Sequence, residues 1–264
     1  MTITSLPDIL KNQKASGGTL AQISPGWSQG RAVYGGVAAS VALTAMEGLL
    51  SAPKPLRSLM VNFVAPMTEG EAACEARILR EGRSVTQTSV DVHSPGQLAV
   101  HASAAFGAPR ETKSVAAGAA FTPESRTSVP PLDMARAKLP GFLERFDIHW
   151  TGGGVPMSGA EDKRLGMWVR HRDDMAAFPA AKIVALADIP PPVMMSHYTR
   201  PVMASSLSWS LEFVCPAAEI KSDWFYLDYT LEAAADGYSQ QNGRIFSEDG
   251  TLAALSRQCM VYFE

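Results

Sequence analysis

The sequence predicts an α+β fold made of two tandem copies of one unit, each a curved antiparallel sheet wrapped around a central helix. Three observations predict it. First, VAASVALTAMEGLL (residues 37–50) and AKIVALA (181–187) are small, almost wholly apolar and free of proline, as helices buried nearly all round require. Second, several segments around each of them read as strands, the clearest with strict apolar–polar alternation, the period of a half-buried strand. Third, the halves match in order. SLMVNFVAP is answered by SWSLEFVCP, with Phe63 and Phe213 150 positions apart (213 − 63), and GRSVTQTSVDVHSPGQLAVHASAAF by GYSQQNGRIFSEDGTLAALSRQCMVYF. An apolar helix beside about five strands must be covered by them, and a repeat of roughly a hundred residues is a usual domain size.

The elements follow in order. Residues 1–18 read as a polar lead with one short helix around 7–12, and 20–33 as short strand and loop. Tyr34-Gly35-Gly36 leads into the first apolar helix, which Pro53 and Pro55 close. LRSLMVNFVAP then sets Leu59, Val61, Phe63 and Ala65 on one face of a strand. EAACEARILRE is a second strand, although periodicity alone also allows a helix there; VTQTSVDVH and LAVHASAAF follow, joined by a Ser94-Pro95-Gly96-Gln97 hairpin turn. Five prolines among Ser, Thr and Ala mark 107–140 as a surface linker. The second series has strands at 146–150 and 165–172, then the helix that stops at Asp188, ahead of Pro190, Pro191 and Pro192. In the strand at 206–215, Leu207, Trp209, Leu211, Phe213 and Cys215 are assigned to the core face, and Ser206, Ser208, Ser210 and Glu212 to the polar face. Strands in DWFYLDYTLE, YSQQNGRIFS and LAALSRQCMVYF complete the chain. The expected domains are an N-terminal repeat (1–106), the linker (107–140) and a C-terminal repeat carrying the candidate site (141–264).

At 264 residues, 46% hydrophobic and 19% charged, the chain can bury a sizeable core. A net charge of −3 gives no global pull towards nucleic acid or an anionic membrane. No stretch approaches the ~18 uninterrupted apolar residues of a membrane span. Cys74, Cys215 and Cys259 are odd in number, far apart and without a CxxC pair, which fits reduced thiols and argues against disulfides or zinc. The N-terminus has no basic-then-apolar leader, so the expected location is the cytoplasm. The five histidines show no HxxxH or HExxH spacing and read as structural or surface residues. Gly152-Gly153-Gly154 lacks the Lys-Ser/Thr of a phosphate loop. No metal and no cofactor are expected. Gly26-Trp27-Ser28-Gln29-Gly30 has the letters of a nucleophile elbow, but Pro25 precedes it and residues 31–34 separate it from the helix, whereas that motif needs strand, turn and helix directly joined.

The ordered motifs carry a family resemblance. YGG before the first helix, LMVNFVAP and REGRSVTQTSVDV in the first half, then WVRHR, ALAD, SSLSWSLEF and DGTLAALSRQ in the second, resemble the acyl-CoA thioesterase II family and its thioesterase-like relatives. The resemblance covers about residues 27–106 and 146–263. It implies the double hotdog fold, hydrolysis of an acyl-CoA thioester to free acid and CoA, and a catalytic group drawn from the second half. Carried over, that group is Asp188 of ALAD, Ser206 at the start of its strand and Gln258 of LSRQ. The family often has Thr at the hydroxyl position and often Asp-His where this chain has Ser208-Trp209. The hydroxyl is kept; the flank is not.

Such a group suits direct hydrolysis. A carboxylate takes a proton from water, the hydroxyl and the amide hold that water, and an N–H at a helix N-terminus polarises the thioester carbonyl. Gly35 and Gly36, at the helix start, are the candidate substrate-binding residues, because glycine lets backbone approach closely. The bland readings are a pre-proline helix end for Asp188 and solvated strand positions for Ser206 and Gln258. Glu47, the acid of the first helix, is expected in a solvated turn, so one site per chain is expected. Arg80, Arg83, Arg164, Arg170 and Arg172 are either coenzyme A phosphate contacts or solvated strand residues. Two alternatives remain. Enoyl hydration would want an Asp-His pair near the helix, and ALAD has none; an acyl or CoA binding module without catalysis is kept open by the Ser-Trp flank. Fused hotdogs already make the pairing that single ones obtain by dimerising, which leaves monomer and homo-oligomer both open.

Overall fold

Ser5 opens helix α1 (Leu6–Ala15): its Oγ accepts from the Asp8 N–H, and Pro7 occupies the first turn, where a missing N–H costs nothing. The structure is a computed structural model, and it describes residues 4–115, 118, 120–133 and 139–264. Strand β1 (Leu20–Ile23) and a two-residue pair, β2 (Ser28–Gln29) and β3 (Ala32–Val33), lead to α2 (Gly35–Glu47), buried from Gly36 through Met46. Then come β4 (Leu56–Phe63), β5 (Gly70–Glu81), β6 (Val85–Ser94) and β7 (Gln97–Gly107). The second half has β8 (Phe146–Gly152), β9 (Arg164–His171), α3 (Pro179–Ala187), β10 (Met203–Phe213), β11 (Phe225–Ala235), β12 (Tyr238–Ser247) and β13 (Leu252–Phe263). EAACEARILRE is a strand because both its edges are taken, by β1 and by β6.

All the strands but β2 and β3 form one antiparallel sheet, ordered β1-β5-β6-β7-β4-β10-β13-β12-β11-β9-β8. Helices α2 and α3 pack against each other, α2 also on β5, β6 and β7, and α3 on β9. This is the double hotdog. The two copies share one sheet, sewn together where β4 pairs β10. There Met60 faces Ser210, its own repeat partner (210 − 60 = 150), so an approximate two-fold axis passes between them. Leu59 and Val61 pair Leu211 and Trp209, all four buried against the helices.

The alternation assigned to β10 fails at one point. Ser206 pairs Met260, but Ser208 pairs Cys259, so Leu207 is an extra residue in the ladder. This β-bulge throws Leu207 outward, 39% exposed, and turns Ser206 onto the same inward face as Trp209. Leu207 is therefore not a core residue and Ser206 is not on the polar face. Cys215 lies beyond the strand, which ends at Phe213.

Among the described residues of 107–140, several are tied down. Phe121 sits among Trp168, Tyr226 and Phe246, on the sheet face away from the helices. Trp168 donates to the Glu124 carbonyl (2.9 Å), Arg126 stacks on Trp224 (4.2 Å), and the Leu132 N–H reaches the Ile148 carbonyl (2.8 Å). These residues form a strap over the second half of the sheet.

Candidate active site

Asp188 caps the C-terminus of α3, where the following prolines prevent another turn. Two buried phenols hold this helix end. Tyr34, just before α2, donates to the Ala185 carbonyl (2.5 Å), and Tyr229 on β11 donates to the Ala187 carbonyl (2.5 Å). They satisfy acceptors that a helix terminus leaves unpaired. Tyr34 is itself fixed by stacking on Phe142 (4.0 Å between centroids).

The Asp188 carboxylate lies against the N-terminus of α2. The Gly36 N–H stands near enough to favour its ionised form. A Cβ on Gly35 would stand 2.6 Å from Asp188 Oδ2 and 3.2 Å from the Phe63 ring; one on Gly36 would meet the Tyr34 ring at 2.7 Å and the Ala185 Cα at 3.0 Å. Only glycine permits this crossing of α2 and α3. Gly35 therefore lies against the carboxylate and Gly36 against Tyr34 and α3, and the first half supplies part of the site's inner wall.

Ser206 and Gln258 arrive from β10 and β13. Gln258 pairs Trp209 and points inward, and its Nε2 donates both to Asp188 Oδ1 (3.1 Å) and to Ser206 Oγ (2.8 Å). Gln258 Oε1 accepts from Gln241 Nε2 on β12 (3.2 Å), and Gln241 Oε1 accepts from the Val193 N–H (3.0 Å). All three second-half residues named from the sequence thus meet in one network with Gly35 and Gly36. Gln258 is buried, while Asp188 and Ser206 each keep some accessible surface. Burial pushes the Asp188 carboxyl up to about 7, against the Gln258 amide and the Gly36 N–H, which favour the ionised form. Burial also holds the Tyr34 and Tyr229 phenols well above their usual range, and the Asp188 charge adds to both. A carboxylate poised near neutrality, partly open to solvent and beside a helix N-terminus can act as a general base.

Sequence reasoning missed Gln241, Tyr34 as a helix cap, and Tyr229. In YSQQNGRIFS only the register with β13 tells that Gln241, not Gln240, faces Gln258. The flank change at Trp209 falls outside the network: its ring is buried and its Nε1 donates to Ser256 Oγ (2.9 Å).

The repeat partners of these positions carry no such chemistry. Ser206 answers to Leu56 (206 − 150), and Gln258, which pairs Trp209, answers to Ala104, which pairs Leu59 (209 − 150). Glu47, however, is not in a solvated turn: it is half-buried, and burial raises its carboxyl, with Lys14 opposing. Of the arginines, Arg164 is paired with Asp228 (2.6 Å), and Arg170 and Arg172 share Asp147 (2.7 and 2.8 Å). Ser28 of the GxSxG letters lies on β2 and donates to Glu69 (2.6 Å), with no α/β elbow around it. His171 is half-buried with its Nε2 at the Lys182 carbonyl (3.0 Å), and desolvation lowers it to about 4. Among the described residues no cluster of His, Cys, Asp or Glu is arranged to hold a metal ion, and no helix is long and apolar enough to cross a membrane.

A family model described as the acyl-CoA thioesterase C-terminal domain matches residues 123–262, and the corresponding N-terminal domain matches 23–107. No curated protein matches the chain. Among solved structures, a hot dog fold protein of unknown function from Alicyclobacillus acidocaldarius is similar at a TM-score of 0.82 and 22% identity, over 93% of this chain and 92% of its own. The tesB protein of Mycobacterium avium subspecies paratuberculosis gives 0.79 and 18%, over 98% and 100%. The acyl-CoA thioesterase II TesB2 of Mycobacterium marinum gives 0.69 and 19%, over 88% and 90%. At these identities the structural likeness carries the fold.

Proposed function

The chain belongs to the acyl-CoA thioesterase family, and we propose that it hydrolyses an acyl-CoA thioester to the free acid and CoA with water activated by Asp188. The observation that carries this reading is the meeting of one partly accessible carboxylate, raised to about 7, with Ser206, Gln258 and the start of α2.

Ionised Asp188 takes a proton from water as the water oxygen bonds to the thioester carbon. Ser206 accepts from Gln258 and so keeps its own proton to donate to that water, which fixes the line of approach. Charge developing on the carbonyl oxygen falls beside the positive end of α2. Collapse of the tetrahedral intermediate breaks the C–S bond, and the proton on Asp188 passes to the departing thiolate. No acyl-enzyme is formed. Gln258 holds Asp188 and Ser206 at a fixed separation, and Gly35 and Gly36 let the Asp188 carboxylate come up to the helix start.

The test is thiol release from short, medium, long and aryl acyl-CoAs by the wild type and Asp188→Asn. Turnover in the wild type, reduced at least about a hundredfold in the variant, is expected. Equal rates would overturn the assignment of Asp188. Binding without turnover of any substrate would make the protein an acyl-CoA binder instead.

A further inference from the structure

A glutamine amide has one donor end and one acceptor end. If Gln258 flipped, its carbonyl oxygen would face the Asp188 carboxylate and neither Asp188 nor Ser206 would receive a donor. Its contacts with those two residues do not prevent this, since a hydroxyl both donates and accepts and a carboxyl raised to about 7 takes both forms near neutral pH. What distinguishes the two orientations lies behind Gln258, at Gln241. That side chain is 1% exposed and gives its Nε2 to Gln258 Oε1 (3.2 Å). Gln241 cannot itself flip without cost, because its Oε1 accepts from the backbone N–H of Val193 (3.0 Å), a group that only donates. Val193 directly follows Pro190-Pro191-Pro192, whose fixed φ angles hold the peptide in place. The loop that leaves Asp188 therefore also provides the donor against which both amides are oriented.

We propose that Gln241 is a positioning residue for the reaction, acting through Gln258 by fixing which end of that amide faces Asp188 and Ser206. The proposal rests on the reading of Asp188, Ser206 and Gln258 given above, but it has a signature independent of turnover. The titratable groups coupled to Asp188 are Tyr34 and Tyr229, both kept protonated by burial. A change in the Asp188 titration at neutral pH thus reports on its amide donor.

The experiment follows the Asp188 carboxyl by ¹³C NMR in the full-length protein labelled at aspartate, with acyl-CoA kinetics alongside, for wild type, Gln241→Leu, Gln258→Leu and the double variant. In Gln241→Leu, Asp188 is expected to titrate roughly one pH unit higher. kcat should fall roughly tenfold at pH 7 with KM little changed, and the double variant should be no slower than Gln258→Leu alone. An unchanged Asp188 titration in folded Gln241→Leu, or rate losses that multiply in the double variant, would overturn the proposal. Should Gln241→Leu unfold, Gln241→Met, longer and unbranched, carries the same comparison. If the wild type turns over no acyl-CoA, the functional reading fails, and the titration still decides whether Gln241 orients Gln258.

Discussion

Asp188 is where sequence, stability and function meet in one residue. Its carboxyl rises from 3.8 to about 7 because the site desolvates it more than Gln258 and Gly36 compensate. Two consequences follow with opposite pH trends. As a base it must be ionised, so kcat/KM is expected to climb with pH through about 7, and Gln258→Leu should move that limb upward by removing a donor to the charged form. A limb left at its wild-type position in Gln258→Leu would contradict the role given to that amide. For stability the sign reverses. Below about pH 4 Asp188 is protonated in both folded and unfolded chains; between about 4 and 7 only the unfolded chain ionises, and the fold loses up to about 4 kcal/mol. Asp188→Asn, which stays neutral, should therefore melt above the wild type by a margin that grows from pH 4 to 7 and then levels, a pattern thermal unfolding at several pH values would reveal or refute. At Gly35 the constraint is steric: Gly35→Ala sets a methyl 2.6 Å from Asp188 Oδ2, and steady-state kinetics should show kcat/KM lowered at least about tenfold with the fold retained.

A strand can change which residue it offers to a site by taking one extra residue. Ser206 reaches Gln258 because Leu207 is bulged out of the β10–β13 ladder. Deleting Leu207 should restore regular pairing with Ser206 still on the inner face beside Trp209, so most activity should be kept, whereas Ser206→Ala should cost activity roughly tenfold or more. A Ser206→Ala variant with full activity would show that Ser206 is dispensable. This is also where the sequence was misleading. Leu207 fits the alternation of Trp209, Leu211 and Phe213, and nothing in the letters marks it as extra. Helix α3 was legible for the opposite reason: an apolar run stopped by three prolines leaves little choice of where its C-terminus lies. That its terminal carbonyls are met by Tyr34 and Tyr229 was not, because those phenols stand 151 and 42 residues away along the chain.

At the scale of the whole molecule the halves cannot act separately. Asp188 stands at the end of α3 and lies against Gly35 at the start of α2, and β4 and β10 join the two copies into one sheet. Calorimetry should accordingly give one cooperative transition, with calorimetric and van't Hoff enthalpies equal; two resolved transitions would mean that the β4–β10 seam is weaker than its buried Leu59, Val61, Trp209 and Leu211 suggest. The strap anchored by Phe121 adds a further tie over the second half.

The sequence by itself determined the duplication, the two buried helices and the order of the strands along the chain, and through family motifs it singled out Asp188, Ser206 and Gln258, whose side chains meet in one network. Those features are written in local period, in proline and glycine, and in a 150-residue echo, all of which survive without three dimensions. Only the tertiary structure decided that α2 lends its N-terminus to Asp188, that a bulge turns Ser206 inward, and that Gln241 stands behind Gln258. Each depends on register between strands or on contact between distant helices, and a single sequence constrains such pairings only through the fold that satisfies them all at once.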